Sequence, residues 1–327
     1  MRAYVIRRLL LIIPTLLLVT IIVFFTIRLI PVDVIEIMLA EQVEGASDFN
    51  REQLEAELGL DAPLHIQYGR WLGFLPTPDE GFNGIFQGNL GASLWNNIST
   101  IDELESRLPV SLELGILSLI IGQLIALPIG IYSAIRQDTI GDYIGRSFAI
   151  VCIAIPSFWL GTMVMVFPSL WWNWSPPIQY IRLTADPLGN LRMMLIPAVI
   201  LGMVLSGTTM RMTRTMMLEV LRQDYIRTAW AKGLRERIVV VRHALKNALI
   251  PIVTIIGMQL PLLIGGSVII ENIFCLPGVG ALMVRVINNR DYIVLSGINI
   301  VMATAVLIIN LLVDITYSYL DPRVHYQ

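Results

Sequence analysis

The sequence has 327 residues, 55% hydrophobic and 15% charged, at a mean hydropathy of +0.70. Soluble domains carry about 25% charged residues, so this composition excludes an ordinary water-soluble globule and makes lipid the solvent for most of the chain. The formal net charge of −2 hides an asymmetry: residues 31–107 hold 14 acidic and 3 basic residues, net −11, which leaves 20 basic and 11 acidic, net +9, elsewhere.

A helical span needs about 20 apolar residues at 1.5 Å rise each. Six stretches qualify, roughly 9–30, 108–135, 147–172, 194–217, 248–270 and 293–317, so an all-α polytopic membrane protein is expected. Arg2, Arg7 and Arg8 precede the first apolar run as they would in a secretory signal. That run is longer than a signal's apolar region and no small-residue cleavage site follows, so residues 1–30 read as a retained first span. Arg28 at its end is expected to snorkel outward.

The acidic segment 31–107 is too long for a plain connector. Arg51–Leu58 followed by Gly59 has the form of a short helix with a glycine stop, and Gln67, Tyr68, Trp71 and Leu72 suggest packed structure near the membrane surface. A small external cap is expected. Residues 108–320 hold the remaining five spans. Pro128, Pro156, Pro197, Pro251 and Pro261 fall in or near those spans, and Pro14 in the first, as kinks that neighbouring helices tolerate. Glu113, about one turn into the second span, and Asp314, near the end of the sixth, are intramembrane carboxylates. Each is either a pathway or gating group, or a structural one that reaches water or pairs with an arginine.

Residues 211–246 carry nine basic and three acidic side chains and are too polar to insert. Within them Asp224 is expected to cap a helix Tyr225–Lys232, with Gly233 in the left-handed position that ends it. Ile226, Ala229 and Trp230 are expected on one face of that rod. On physical grounds it is equally a lipid-surface helix or a docking knob for a partner protein. Arg211 and Arg214 at its start either line a pathway mouth or bind anionic headgroups. The 14 methionines read as ordinary fillers in lipid-facing helices rather than as parts of interfaces that repack during a conformational cycle.

An even number of spans puts both termini on one side, and placing that side in the cytoplasm assigns it 15 of the 23 Lys and Arg residues. The loop 211–246 and the tail 321–327 are then cytoplasmic and 31–107 is external. Cys152 and Cys275 lie within or at the end of apolar runs, so neither a disulfide framework nor a metal site is expected. His65, His243 and His325 are scattered. The chain has no phosphate-binding loop, zinc-protease motif or nucleophile elbow, nor any filter or paired-acid signature of a channel or secondary transporter. No catalytic residue and no nucleic-acid partner are expected.

The run Glu219-Val-Leu-Arg-Gln-Asp-Tyr-Ile-Arg-Thr-Ala-Trp-Ala-Lys-Gly-Leu234, followed by Arg242-His-Ala-Leu-Lys-Asn-Ala-Leu-Ile-Pro251, closely resembles the cytoplasmic loop of binding-protein-dependent ABC importer permeases. The resemblance is to the first-permease branch of the dipeptide/oligopeptide/nickel group and extends over nearly the whole chain. It takes in Arg7-Arg8-Leu9 to Pro14-Thr15, Gly88-Asn-Leu-Gly-Ala-Ser93, Glu271-Asn-Ile-Phe-Cys-Leu-Pro-Gly-Val-Gly280, Asn289-Arg-Asp-Tyr292, Asp314–Tyr317 and Asp321-Pro-Arg323.

The resemblance implies the type I importer fold: six transmembrane helices, a cytoplasmic coupling helix and an external segment between helices 1 and 2. It makes 108–320 the five-helix permease core with its coupling loop at 211–246. The coupling helix is then Asp224, Tyr225, Ile226, Arg227, Thr228, Ala229, Trp230, Ala231, Lys232 and Gly233, docking on a separate ATPase subunit. The general importer pattern Glu-Ala-Ala, three residues, Gly falls on Arg227-Thr228-Ala229 and Gly233, so its Glu and one Ala are absent here. The stretch with Glu271, Pro277, Gly278 and Gly280 is an external motif that meets a docked binding protein, folds back over the pathway, or is a plain turn.

Implied partners are a second, related permease chain, two ATPase subunits that hold ATP and magnesium, an extracytoplasmic solute-binding protein and membrane lipid, with no cofactor on this chain. The implied location is the inner (cytoplasmic) membrane and the implied cargo is peptide, with nickel complexes or oligosaccharides as alternatives.

Overall fold

The protein is described here by a computed structural model covering residues 2–29, 61–77, 81–177 and 179–320. The expected helix Arg51–Leu58, its Gly59 stop and the tail 321–327 lie outside these residues. The chain divides into two compact units, one of Met1–Leu9, Arg107–Leu282 and Ala305–Gln327, the other of Leu10–Ser106 and Met283–Thr304.

Over the described residues each apolar stretch predicted from the sequence falls mainly on helix: α1 Arg2–Arg28, then after the short α2 Leu64–Leu72, α3 Thr100–Ile135, α4 Ile140–Ala154, α5 Ser157–Trp172 and α6 Pro187–Leu221. Beyond the short α7 Asp224–Ala231 come α8 Lys246–Gly266, the short α9 Val268–Ile273, α10 Val279–Asn288 and α11 Tyr292–Leu320. Among the described residues five helices are long and apolar enough to cross a membrane, and the α4–α5 pair makes a sixth if taken as one span.

The third stretch is not the continuous span expected over 147–172. It breaks between α4 and α5 with a bend of 91°. Pro156 has no N–H to continue the helix and its ring disfavours helical backbone in the residue before it. Ile155 accordingly sits at φ −81°, ψ 120°, and Pro156 begins the next helix as its N-cap. The second stretch differs the other way: α3 starts at Thr100 rather than 108, so the expected boundary at residue 107 falls inside a continuous helix. At 36 residues it rises about 54 Å, well beyond a hydrocarbon core of about 30 Å. Glu113 is therefore 13 residues into its helix.

Within the larger unit α6 is the central element. Pro187 occupies its first turn and the Asp186 carboxylate accepts from the Leu188 and Gly189 N–H groups at 3.1 and 3.0 Å, a cap worth about 1 kcal/mol. Close approach to α3 is made by glycine: a Cβ on Gly122 would stand 2.9 Å from the Gly202 carbonyl oxygen, and one on Gly202 2.8 Å from that of Ser118. Such small-residue contacts substitute for a hydrophobic drive that lipid cannot supply. Met193 and Met194 are buried with Val110, Leu114, Ile270 and Phe274, Met210 with Cys152, and Met217 with Ile226, so these four fill buried clusters instead of the lipid-facing positions expected.

The smaller unit contains α2, whose Tyr68 hydroxyl lies 2.7 Å from the Thr20 hydroxyl of α1. Phe24, fully buried, packs against Tyr68 and Trp71 with ring centroids 5.1 and 5.5 Å apart. Arg28 donates from Nε to Gln67 Oε1 at 2.8 Å and lies over the Phe24 ring.

Candidate functional site

The connection from α6 to α8 is built as a rigid knob. α6 ends at Leu221 and, after two intervening residues, α7 begins. Gln223, not Asp224, occupies the cap position, and no side chain bonds the free N–H groups there. Asp224 is the first helical residue; it holds the exposed Arg227 at 3.3 Å and places negative charge at the helix's positive end.

The other end follows expectation. Gly233 has φ +73° and donates to the Trp230 carbonyl at 2.9 Å, while Leu234 donates to that of Ala229 at 3.4 Å. This pair of bonds is the Schellman stop, which a left-handed glycine permits without strain.

Ile226 and Ala229 point inward and are buried among Met217 of α6, Ala134 of α3, and Val239, Val240, Ala244, Ala248 and Ile252. Trp230 does not share that face. It is 44% exposed, as Tyr225 is at 43%, because 100° of helical rotation separates it from Ala229. The outer surface of α7 thus presents Tyr225, Arg227, Thr228, Trp230, Ala231 and Lys232. Tyr225 is also tied to the scaffold, its hydroxyl accepting from Asn247 Nδ2 at 2.7 Å.

The chain enters α8 through one turn, Glu236–Ile238, and a π-helical stretch, Val239–Leu245, in which the hydrogen bonds skip one residue further than in an α-helix. Such widened turns recur at functional sites. Here the stretch supplies Val239, Val240 and Ala244 to the pocket that grips Ile226. Periodicity in the sequence gives no sign of it.

The other candidate residues are dispersed. Asp314 forms an ion pair with Arg8 at 2.9 Å, the side chains 22% and 46% exposed, so it ties α11 to the start of α1. Glu113 is half-buried beside Asn190, which is itself buried and donates to the Ile181 carbonyl. Burial first, and the Glu113 charge second, raise the Tyr180 phenol above its ordinary value. Arg214 forks onto Asp142, Nε to Oδ1 at 2.7 Å and Nη2 to Oδ2 at 2.8 Å. Asp142 is completely buried, and sequence reasoning passed over it because it lay outside every expected span.

Removing one partner of such a pair strands the other, at about 3–5 kcal/mol. Asp142→Ala is therefore expected to lower the melting temperature of the detergent-purified chain, and adding Arg214→Leu to recover a large part of the loss. Equal melting of the single and double variants would count against this pairing.

Glu271 is not on the surface of an external turn. It is fully buried, and its Oε1 accepts from the hydroxyls of Ser111 and Ser267, each at 2.7 Å, while Oε2 accepts from the Ala281 N–H at 3.0 Å. Ser111 in turn accepts from the Val279 N–H at 2.8 Å. The motif's glycines are explained by this carboxyl: a Cβ on Gly278 would stand 2.3 Å from Glu271 Oε2 and one on Gly280 2.9 Å from it. Pro277 precedes that turn, whose backbone is fastened by the Leu276 N–H on the Glu271 carbonyl at 2.8 Å. Two further stretches singled out in the sequence also meet, since Ser93 donates to the buried Asp291.

Residues 126–326 match the family described as the binding-protein-dependent transport system inner membrane component, and residues 1–115 match its N-terminal counterpart. The chain belongs to this permease family. The dipeptide transport system permease DppB of Escherichia coli K12 is 34% identical over the whole of both chains. A putative peptide transport system permease of Brucella suis biovar 1 is 38% identical, again over the whole of both. Among solved structures, the inward-facing methionine ABC transporter MetNI matches at a TM-score of 0.53 and 18% identity, over 68% of this chain and 97% of that one. An amino acid ABC transporter matches at 0.50 and 13%, over 68% and 95%. These likenesses give the permease the type I ABC importer fold.

Proposed function

We propose that this permease forms half of the translocation pathway of an ATP-driven importer of di- and oligopeptides. The full-length match to dipeptide and peptide permeases carries the reading. The chain itself is non-catalytic in this scheme. One of two ATPase subunits that hold ATP and magnesium docks on the exposed side of α7, a second related permease receives the other and completes the pathway, and an extracytoplasmic binding protein delivers the peptide. The membrane is the inner one, with both termini and the 211–246 loop in the cytoplasm, a placement supported by the nine basic residues of that loop.

The mechanism is alternating access by rigid-body motion. Closure of the ATPases displaces α7, whose buried Ile226 and Ala229 carry the displacement into α6, α8 and the π-helical stretch. The energy comes from ATPase contacts on α7 that differ between the two states.

Purifying the permease from its native membrane in mild detergent and weighing its companions is the first test, followed by uptake of labelled dipeptides into vesicles holding the recovered assembly. A second permease, two ATPases and ATP-dependent dipeptide uptake are expected. Recovery of the permease alone, under conditions that keep other membrane complexes intact, sinks the assembly; an intact assembly that ignores dipeptides sinks the cargo.

Gly233→Pro is expected to uncouple transport from hydrolysis. Proline removes the N–H given to Trp230 and requires φ near −65° where the backbone has +73°. Uptake should fall at least about tenfold while the amount inserted is unchanged, a factor worth about 1.4 kcal/mol of coupling. Wild-type uptake would show that α7 does not transmit the motion.

A further inference from the structure

The larger unit holds an open pocket of about 380 Å³ between the last turns of α3, the middle of α4 and the C-terminal part of α6. Its polar lining includes Ser133, Arg146, Arg211 and Arg214, and Ile129 and Ile150 belong to its apolar wall. Three guanidinium groups converging between membrane helices demand a counter-charge. The nearest carboxylate is already occupied: Asp142 takes the Arg214 fork on both oxygens and the Asp138 N–H at 3.0 Å.

Arg146 makes only a longer ion pair with Asp142, at 3.6 Å, and its Nε is buried with no hydrogen-bond acceptor. Its guanidinium lies 4.5 Å over the Tyr143 ring, which holds it in place. Arg211 has no ion-pair partner among the described residues. The Ser133 hydroxyl, 2% exposed, is likewise buried and unpartnered. Buried polar atoms without partners are uncommon enough that each calls for a ligand, a water or a strain explanation. Here two of them line one cationic pocket.

We propose that this pocket binds the phosphate group of an anionic phospholipid, with Arg146 and Arg211 as its cationic contacts and Ser133 donating a hydrogen bond. Arginine suits phosphate oxygens because its planar N–H groups match them in pairs, and basic pockets between transmembrane helices are known to hold acidic headgroups. Free phosphate shares this chemistry. The apolar wall selects the lipid, since Ile129 and Ile150 give a glycerol and acyl stem a surface that an inorganic ion would leave bare. α7 starts nine residues after Thr215 of this pocket, so a bound lipid would brace the helix that leads into the knob.

The test uses the whole permease, stripped of lipid in detergent and examined by native mass spectrometry after addition of phosphatidylglycerol, phosphatidylcholine or inorganic phosphate. The wild-type chain is expected to retain one phosphatidylglycerol at least about tenfold more tightly than phosphatidylcholine, and excess inorganic phosphate should not displace it. Arg146→Gln with Arg211→Gln should lose about that tenfold preference, whereas Arg222→Gln with Arg237→Gln, exposed cations outside the pocket, should keep it.

Should the first pair fail to fold, the melting temperature of the wild-type chain decides. A rise with phosphatidylglycerol alone supports the site. An equal rise with phosphatidylcholine or with phosphate overturns it, as does equal retention of the lipid by both double variants. Displacement by inorganic phosphate would make the ligand a free anion and refute the lipid assignment.

Discussion

Gly278→Val is expected to remove most of the folded permease from the membrane, and Glu271→Ala to do nearly the same. The two residues fail for one reason. At Gly278 any Cβ falls 2.3 Å from Glu271 Oε2, 2.4 Å from its carboxyl carbon and 2.6 Å from the Ser111 hydroxyl, and all three atoms are held in a closed network. Ser111 is supplied by the continuous helix α3 and Glu271 by α9.

Removing the carboxyl instead leaves the Ser111 and Ser267 hydroxyls and the Ala281 N–H without their acceptor. Each such loss costs about 1–3 kcal/mol, so the sum approaches the whole stability of a typical domain, about 5–15 kcal/mol. Glu271→Gln keeps the volume but turns one acceptor into a donor, and should fall between wild type and Glu271→Ala. Fluorescence-detected gel filtration of detergent extracts, with a melting curve for each variant, orders the series. Wild-type yield and melting for Gly278→Val would mean that the motif is a free turn at the surface.

The contrast between this motif and α7 shows what the sequence holds. α7 was legible almost to the residue because its signals are local: Gly233 ends a helix whatever lies around it, and the apolar spacing of Ile226 and Ala229 fixes the inner side. The membrane helices were legible for the same reason, since twenty apolar residues in a row need no partner to be recognised. What escaped depends on distant residues. Glu271 and Ser111 are 160 positions apart and Asp142 and Arg214 are 72 apart. No local pattern distinguishes a buried, satisfied carboxyl from an exposed one in a polar turn. The break at Ile155 was legible in principle, as a proline preceded by a β-branched residue, but the general tolerance of membrane helices for proline hid it.

Ile226→Asp is expected to abolish peptide uptake while leaving the permease inserted. Ile226 is fully enclosed, and even truncation of such a side chain costs about 2–5 kcal/mol. A carboxylate there has no donor within the apolar cluster and must turn outward, carrying α7 off Val239, Val240 and Ala244. The loss is local. The membrane helices keep their own packing, because Ile226 belongs to a different cluster from Val110, Leu114, Met193 and Phe274.

The decisive readout is therefore the ratio of peptide moved to ATP split in the reconstituted assembly, with permease content as the control. If α7 works as a rigid knob, a loosened knob still lets the ATPases open and close but moves nothing, and the ratio falls by more than about tenfold. Thr228→Ala, on the exposed side, has no such packing to lose and should keep the wild-type ratio. A variant at Ile226 in which uptake and hydrolysis fall in parallel would refute transmission through the buried face, and would place the coupling in the exposed side chains of Tyr225, Arg227 and Trp230.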